Sequence, residues 1–313
     1  MKTVGVITLI AALGLAFIAM YPADTQMDEQ FEQFIIQYGR NYASEGEMTF
    51  RREVFKANMQ KAAELQRLNP RAEFGMTIFS DQTDGEMMQR MGAIAPTTFD
   101  ESIPVHTQES EPNGDLNWDK YLEPVQNQGS CGSCWAFSAT ATFEARHHMK
   151  TGTALKLSEQ EAVDCSSSQY GCNGGWYEAV WKLVEKDKFC TLESYRYKAV
   201  KGSCQKSTCD GKANDKAYTF VAKTETAMMD ALKSGPISIA LDASTWSSYR
   251  GGVMDHCSNG MNHAVVLAGY SASTNSWKVR NSWGTGWGEK GYIRLAYGKN
   301  MCNLTYKPAY PTF

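Results

Sequence analysis

The chain has 313 residues, which is enough for about two domains of ordinary size. Hydrophobic residues make up 42% of it and charged residues 21%, so the composition excludes a fibrous, collagen-like or disordered protein. The net charge of −3 provides no basic surface of the kind that binds nucleic acid, and we expect no nucleic-acid partner.

The N-terminus has the pattern of an export signal. Lys2 precedes an almost continuous apolar run over residues 4–20, and polar sequence resumes soon afterwards. This pattern predicts a signal peptide over residues 1–20. The run is also close to the length of a membrane span, so an uncleaved anchor is the alternative interpretation. Both interpretations place the chain in the secretory pathway, with a lysosome, a vacuole or the extracellular space as its destination.

The cysteines divide the remaining chain into two parts. All nine lie beyond residue 130, and an oxidising compartment allows them to pair. Because nine is odd, at least one thiol is left over. The cysteine-free stretch followed by a cysteine-rich one predicts a pro-segment over residues 21–111 and a mature domain over residues 112–313.

Two helices are predicted in the pro-segment. Apolar residues at helical spacing define one face of the first, namely Phe31, Phe34, Ile35 and Tyr38. A second helical pattern runs from about Glu47 to Leu68 and ends before Asn69-Pro70, because proline disfavours a helical residue ahead of it. Residues 95–114 mix proline, serine, threonine and glutamate without periodicity, which predicts an exposed linker suited to proteolytic cutting.

The mature domain changes character along its length. A helix is predicted from Cys134 to Lys150, and Ser158 followed by Glu161 has the capping-box pattern that opens another. After about Phe220 the chain becomes β-rich, with strands predicted at Ile237–Leu241, Ala264–Leu267, Trp277–Val279 and Tyr292–Leu295. A helical half packed on a β half predicts an α+β fold with a ligand cleft between the halves.

Three separated residues are candidates for chemistry. Cys134 is expected at a helix N-terminus, where the helix dipole favours a thiolate. A cysteine hydrolase also needs a base, a group that orients the base and a donor for the oxyanion, and His263 and Asn281 are available further along. Taken singly, each residue has an ordinary interpretation. Cys131 and Cys134 alone could form part of a bridge, a metal pair or a redox site.

The residues together resemble the papain and cathepsin L family of cysteine proteases. The resemblance lies in Gln128-Gly-Ser-Cys131-Gly-Ser-Cys134-Trp135 followed by the distant His263 and Asn281. It implies a papain-like two-domain fold with a helical left domain, a β-barrel-like right domain and the active-site cleft between them, preceded by a helical pro-domain. It also implies a cysteine endopeptidase, made as an inactive zymogen, that acts through a Cys–His ion pair and a thioester acyl-enzyme.

The same resemblance assigns roles to the catalytic residues. Cys134 would be the nucleophile and His263 its base, with Asn281 accepting a hydrogen bond from the imidazole and Trp283 shielding that bond from water. The side-chain amide of Gln128 and the Cys134 N–H would form the oxyanion hole. The family pattern further implies a Cys134 thiol with a pKa far below the ordinary value.

Substrate contacts are implied by the family's spacing. The implied substrate-binding residues are Gly174, Gly175, Tyr177, Ala240, Met261, Asn262, Ala264, Trp283 and Lys307. Gly174 and Gly175 would let a substrate backbone approach closely. Lys307 departs from the family, because the base of this pocket is usually small, apolar or acidic. An inward ammonium would accept acidic side chains, whereas one that reaches solvent would change nothing, and we expect the latter.

Disulfides and a glycan site are also implied. The family pattern gives Cys131–Cys172, Cys165–Cys204 and Cys257–Cys302, and parity alone leaves Cys190–Cys209 as a fourth pair. Asn303-Leu-Thr305 is a glycosylation sequon.

The pro-segment resembles the family's inhibitory segment in two motifs. The first has Glu47, Arg51, Phe55 and Asn58 in place, with Ala62 and Gln66 where isoleucine and asparagine are expected, and the second is Gly75-x-Thr77-x-Phe79-x-Asp81. The resemblance implies a segment that folds on the enzyme and crosses the cleft backwards. We expect the mature chain to start near Ser110–Asn113.

The implied partners are protein and peptide substrates, the chain's own pro-segment and cystatin-like inhibitors, with a monomer as the expected state. The sequence contains no zinc-ligand cluster, phosphate loop or nucleotide fingerprint, so we expect no metal and no cofactor. Two alternatives are a thiol-disulfide oxidoreductase that uses Cys131 and Cys134, and a catalytically inactive binding homologue. The oxidoreductase would need neither His263 nor Asn281, and an inactive homologue would be expected to lack a catalytic residue.

Overall fold

The computed structural model describes residues 23–313, so the signal peptide predicted over residues 1–20 lies outside the described residues. Within the part described, no helix is both long and apolar enough to cross a membrane. Residues 23–111 are called the pro-segment below and residues 112–313 the mature domain. The elements of the pro-segment are α1 (Ala23–Tyr38), α2 (Glu45–Leu68), β1 (Ala72–Phe74), α3 (Asp84–Met88) and β2 (Val105–His106).

Helices α1 and α2 pack through an aromatic core. Phe31 and Phe34 of α1 and Phe55 of α2 are fully buried, with ring centroids 5.3–5.5 Å apart across the two helices. The predicted apolar face of α1 is therefore confirmed. Ser44 begins α2 by accepting a hydrogen bond from the Glu47 N–H at 3.2 Å, and the helix ends before Pro70 as predicted.

The motif residues of the pro-segment fix its chain path. Arg51 makes two hydrogen bonds to the Glu86 carboxylate, at 2.7 and 2.8 Å, which joins α2 to α3. The Asn58 amide donates to the carbonyls of Ser80 and Gln82. Gln66, a departure from the family motif, donates to the Ala72 carbonyl and accepts from the Phe74 N–H, so it positions β1.

The mature domain contains four further helices and ten strands among the described residues. The helices are α4 (Cys134–Thr151), α5 (Glu159–Cys165), α6 (Glu178–Val184) and α7 (Glu225–Lys233). The strands are β3 (Leu116–Asn117), β4 (Phe189–Cys190), β5 (Gly211–Ala213), β6 (Ala217–Val221), β7 (Ile237–Leu241), β8 (Tyr249–Met254), β9 (His263–Ser271), β10 (Ser276–Arg280), β11 (Tyr292–Ala296) and β12 (Tyr306–Thr312).

One large sheet forms the β half, in the order β1-β8-β11-β10-β9-β7-β12-β6-β2, with β3 paired to β9. Pro-segment strands lie at both ends of this order: β1 adds antiparallel to β8, and β2 adds parallel to β6. The described sheet remains open, so the barrel-like domain expected from the sequence is not a closed barrel. Its two outer strands do not pair with each other, so the sheet does not close.

Helix α4 is the spine of the helical half and packs on β9. It is buried from Cys134 to Arg146 and ends at Gly152, whose φ of +75° suits glycine. Small polar residues let α4 approach the sheet closely, because the Ser138 hydroxyl donates to the Val265 carbonyl at 2.7 Å. This hydrogen bond fixes α4 of the helical half against β9 of the β half.

Two local predictions differ from the structure. Ser158 caps α5 as predicted, but the Glu161 carboxylate bonds the Cys190 N–H and does not return to the cap. Residues 95–114 are not wholly irregular either, since they include β2. The Phe220 N–H donates to the Pro104 carbonyl, and this pairing with a distant strand has no local sequence signal.

Candidate active site

The Cys134 sulfur lies at the first residue of α4 and is fully buried. The Gly92 N–H of the pro-segment points at this sulfur, with 3.3 Å between nitrogen and sulfur. Backbone amides of Ala264 and Trp135 also act as donors to it. The residue after His263 therefore contacts the sulfur, which places the start of β9 against the start of α4.

His263 is held by a neighbouring amide. It begins β9, is fully buried and pairs with Leu241 of β7. Its Nε2 lies 2.8 Å from Asn281 Oδ1, which also accepts the Ser282 N–H. The other ring nitrogen, Nδ1, is buried and makes no hydrogen bond to the described protein, so it is the nitrogen available to the Cys134 sulfur. The Trp283 ring covers the imidazole at 5.1 Å between centroids.

Burial makes this pair neutral in the presence of the pro-segment. It raises the pKa of the Cys134 thiol to about 11 and lowers the pKa of His263 to about 4, against the opposing effect of the Asn281 hydrogen bond. The acidic thiol expected of the free enzyme is therefore not found in the covered site. The physical reason is that both groups are fully buried in the proenzyme, where Gly92 of the pro-segment lies against the sulfur, and both charged forms lose hydration.

Gln128 is fully buried and bonded to the pro-segment. Its side-chain amide donates to the carbonyls of Arg90 and Cys131, both at 2.8 Å, and its oxygen accepts from the Ser282 hydroxyl at 2.6 Å. The N–H group expected to stabilise an oxyanion is thus occupied by the carbonyl of Arg90.

The pro-segment crosses the cleft in an extended conformation. The Gly175 N–H donates to the Gly92 carbonyl, the Ile94 N–H donates to the Gly175 carbonyl, and the Ala93 N–H donates to the Asn262 carbonyl, each at 2.9 Å. Ala93 and Gly175 pair in parallel. The cleft therefore binds an extended backbone from both walls.

Close approach in the cleft requires glycine at particular positions. A Cβ on Gly92 would lie 1.9 Å from the Gly132 carbonyl oxygen, so no side chain fits there. Gly174 has a φ of +121°, and a Cβ on it would lie 2.5 Å from Ile94 Cδ1.

Four of the predicted pocket residues lie in or against one hydrophobic cluster. Tyr177, Ala240 and Ala264 are buried in one cluster, and Met261 packs against it. The Tyr177 hydroxyl donates to the Lys307 carbonyl. The Lys307 ammonium lies 4.3 Å from the ring centroid of Phe99 in the pro-segment and 4.1 Å from that of Phe220. The ammonium therefore lies over two aromatic rings while the residue stays partly exposed.

The cysteines are joined in four bridges, and Cys134 is the free cysteine among the described residues. The pairs are Cys131–Cys172, Cys165–Cys204, Cys190–Cys209 and Cys257–Cys302. Within residues 23–313, no group of three or more His, Cys, Asp or Glu side chains is placed to hold a metal ion.

Sequence reasoning missed several residues that build the site. Gly92 and Arg90 contact catalytic candidates only through their backbones, and backbone contacts leave no residue-type signal. Asp242 supports the loop before His263 and was not singled out. The one available signal was its position directly after a predicted strand that ends beside the cleft.

Residues 113–312 match the model of the papain family of cysteine proteases, and residues 31–87 match the cathepsin propeptide inhibitor domain. The chain belongs to the papain family. It is a papain-like cysteine endopeptidase made as a proenzyme, and its pro-segment is an inhibitory domain.

Relatives share most of their length with this chain. Ananain of Ananas comosus is 36% identical, over 93% of this chain and 89% of its own. Digestive cysteine proteinase 1 of Homarus americanus is 34% identical, over 96% and 97%. Among solved structures, digestive procathepsin L2 of Tenebrio molitor is 28% identical with a TM-score of 0.82, covering 92% of this chain and all of that one.

Proposed function

We propose that Cys134 is the nucleophile of this endopeptidase, with His263 as its base, Asn281 as the group that orients the imidazole and Gln128 as an oxyanion donor. The observation that supports this proposal most strongly is the arrangement of the first two. A free thiol at the N-terminus of α4 meets the start of β9, where His263 is fixed by Asn281 with Nδ1 unbonded.

The reaction begins once the pro-segment has left the cleft. Water then reaches the site, the thiol proton moves to His263 Nδ1, and the resulting thiolate is stabilised by the imidazolium and the α4 dipole. The sulfur attacks the scissile carbonyl carbon, and the oxygen that gains charge is held by the Gln128 amide and the Cys134 N–H. His263 gives its proton to the leaving amine, which leaves a thioester.

The second half of the reaction restores the enzyme. His263 takes a proton from water as the water oxygen attacks the thioester carbon, and the acid product leaves as the sulfur is released. Trp283 keeps bulk water away from the His263–Asn281 bond. No external oxidant, metal or cofactor enters either step.

Inhibition follows from the occupied hydrogen-bonding groups of the cleft. The pro-segment engages Gln128, Gly175, Asn262 and the Cys134 sulfur simultaneously, so a substrate cannot reach them. We propose that it runs in the direction opposite to a substrate, and that processing near Ser110–Asn113 releases a mature chain of about residues 112–313. The predicted signal over residues 1–20 would lead this proenzyme into the secretory pathway, to a lysosome or vacuole or out of the cell.

Substrate selection is proposed to involve Tyr177, Ala240, Met261, Ala264 and Lys307. Tyr177, Ala240 and Ala264 belong to one buried hydrophobic cluster with Met261 packed against it, an apolar surrounding that suits hydrophobic or aromatic side chains. The Lys307 ammonium stacks on aromatic rings, an arrangement that favours aromatic groups through cation–π attraction. We further propose a monomer that cystatin-like inhibitors can bind.

We propose that Asn303 can be glycosylated if its side chain gives up one hydrogen bond. The Asn303 amide donates to the Gly260 carbonyl at 3.4 Å, and the residue is partly buried. A glycan would have to replace that weak contact.

The catalytic assignment is tested by mapping an active-site label. Acid-activated enzyme is treated with an epoxysuccinyl cysteine-protease inhibitor, and peptides are analysed by mass spectrometry. We expect modification at Cys134 that His263→Ala abolishes and His256→Ala, at an exposed histidine, preserves. Modification of another cysteine, or none in the wild type, would refute the assignment.

A further inference from the structure

A buried carboxylate supports the loop that ends at His263. Asp242 follows β7 and is 5% exposed. Its Oδ1 accepts hydrogen bonds from the Ser244 N–H at 2.9 Å, the Ser244 hydroxyl at 2.5 Å and the Asn262 side-chain amide at 3.1 Å. Its Oδ2 accepts from the Gly260 N–H at 2.9 Å. A Cβ on Gly260 would lie 2.8 Å from that oxygen, so any side chain at this position would displace the Asp242 carboxylate.

Asn262 is in turn fixed from three directions. Its side-chain oxygen accepts the Ala243 N–H at 2.9 Å, and its amide donates to the Ser244 hydroxyl at 2.9 Å as well as to Asp242. Its backbone N–H donates to the Leu241 carbonyl at 3.0 Å. The Asn262 carbonyl accepts the Ala93 N–H of the pro-segment bound in the cleft.

The backbone of Asp242 is also fixed, by the residue Cys302. The Asp242 N–H donates to the carbonyl of Cys302 at 2.8 Å, and Cys302 is bridged to Cys257 at the start of the same loop. Although burial alone would raise the pKa of Asp242, its hydrogen-bond donors from Ser244, Gly260 and Asn262 keep that pKa below the ordinary value. The carboxylate is therefore an anion with acceptor capacity only.

We infer that Asp242 is a positioning residue, which holds the Asn262 carbonyl where it accepts a backbone N–H of the peptide in the cleft and so aligns the scissile bond with Cys134. The inference rests on the proposed function, in which a substrate replaces the pro-segment along the same wall. Asp242 does not touch the reacting atoms and acts through Asn262. Misplacing a substrate by about 1 Å can lower the rate by about 100-fold, so a support of this kind has a measurable effect.

The test uses activated full-chain enzyme and two matched fluorogenic peptides. The second peptide has an ester oxygen in place of one N–H, that of the residue supplying the scissile carbonyl. In the wild type we expect the loss of this hydrogen bond to lower kcat/KM by about tenfold, because a partly buried acceptor is left unpaired. In Asp242→Asn we expect a lower kcat/KM for the amide peptide and an ester-to-amide difference of less than about threefold, since the acceptor is already misplaced.

A second variant, at an exposed residue of the same hydrogen-bond network, keeps the test possible if Asp242→Asn does not fold. Ser244→Ala removes one hydrogen bond to Asp242 and one from Asn262, and Ser244 itself is exposed. We expect it to reduce the ester-to-amide difference in the same direction. Ser258→Ala, at an exposed serine of the same loop, is the matched control and should keep the wild-type difference.

The outcomes separate the inference from the proposed function. An unchanged ester-to-amide difference in Asp242→Asn, or in Ser244→Ala if the first variant does not fold, overturns the positioning role. A merely structural Asp242 would lower the amount of active enzyme, counted by inhibitor titration, without changing that difference. If wild-type enzyme is not labelled at Cys134, the proposed function fails instead.

Discussion

Gly92 is a point at which the pro-segment backbone packs tightly against the mature domain beside Cys134. Because a Cβ there would lie 1.9 Å from the Gly132 carbonyl oxygen, Gly92→Ala must push the pro-segment away from Cys134. Overpacking of this kind costs about 1–3 kcal/mol, which corresponds to about 5- to 160-fold in the population of the open proenzyme. We expect Gly92→Ala to shorten the activation half-time at least several-fold, measured with a fluorogenic peptide.

The matched control for this change is Gly85→Ala in the same pro-segment. A Cβ on Gly85 would meet only the Thr83 hydroxyl oxygen, at 3.9 Å. Its activation half-time should remain near that of the wild type. Equal acceleration by both variants would show that the effect comes from general destabilisation of the pro-segment.

The buried thiol provides a second prediction at the residue scale. Since burial raises the pKa of Cys134 to about 11 in the proenzyme, its alkylation by iodoacetamide should be slow at pH 6 and rise up to pH 10. The activated enzyme should react at pH 6 and show a much weaker rise with pH. Parallel pH profiles for the two forms would contradict a neutral pair under the pro-segment.

The catalytic candidates were predictable from the sequence because each is a side chain with its own chemistry. Cys134 at a helix start, His263 at a strand start and Asn281 before a glycine-rich turn all lie where the patterns placed them. Gly92 and Asp242 were not predictable, because they act through backbone contacts and through a network closed only by the tertiary fold. The direction of the Cys134 pKa in the proenzyme depends on burial, which no single residue encodes.

At the scale of elements, β1 is the clearest docking device of the pro-segment. It extends the mature sheet at β8, and Asn69, just before it, accepts the Asp255 and His256 N–H groups at 3.0 and 2.7 Å. Strand β1 is only three residues long, so its sequence alone did not reveal it, whereas the long helices α1 and α2 carried a clear period.

Removal of the Asn69 side chain tests this docking. Asn69→Ala loses two hydrogen bonds across the interface, each worth about 1 kcal/mol, so the proenzyme should activate up to about 30-fold faster. The measurement is activation half-time at one fixed pH. Gln60→Ala, at an exposed position of α2, should leave that half-time unchanged. A wild-type rate for Asn69→Ala would show that β1 docks without this anchor.

At the scale of the whole molecule, an activation driven by acid would draw on groups outside the catalytic pair. A thiolate with an imidazolium carries as many protons as a thiol with a neutral imidazole, so opening the site need not take up a proton there. Glu86 is a better candidate for the group that takes up a proton on acidification, because its hydrogen bonds to Arg51 lower its pKa to about 2. A carboxylate with a lowered pKa stabilises the folded pro-segment above its ordinary value of 4.5, and that stabilisation is lost as the pH falls from there toward 2.

Glu86→Gln should therefore change the pH dependence of activation. We expect faster activation than in the wild type above about pH 4.5, with the difference shrinking as the pH is lowered. Activation half-times over a pH series measure this, and Glu64→Gln at an exposed site of α2 is the control. A difference that stays constant with pH would mean that the charge of Glu86 is not involved.

The orientation of Gly92 determines how the first active molecules arise. The group it turns toward the Cys134 sulfur is an amide hydrogen, whereas a nucleophile needs a carbonyl carbon. The inhibitor is thus held in the catalytic centre without being consumed, and a closed molecule does not cut itself at this point. The first cleavage falls on another bond or is made by a neighbouring molecule, so activity in a population should begin after a lag that shortens as the protein concentration rises.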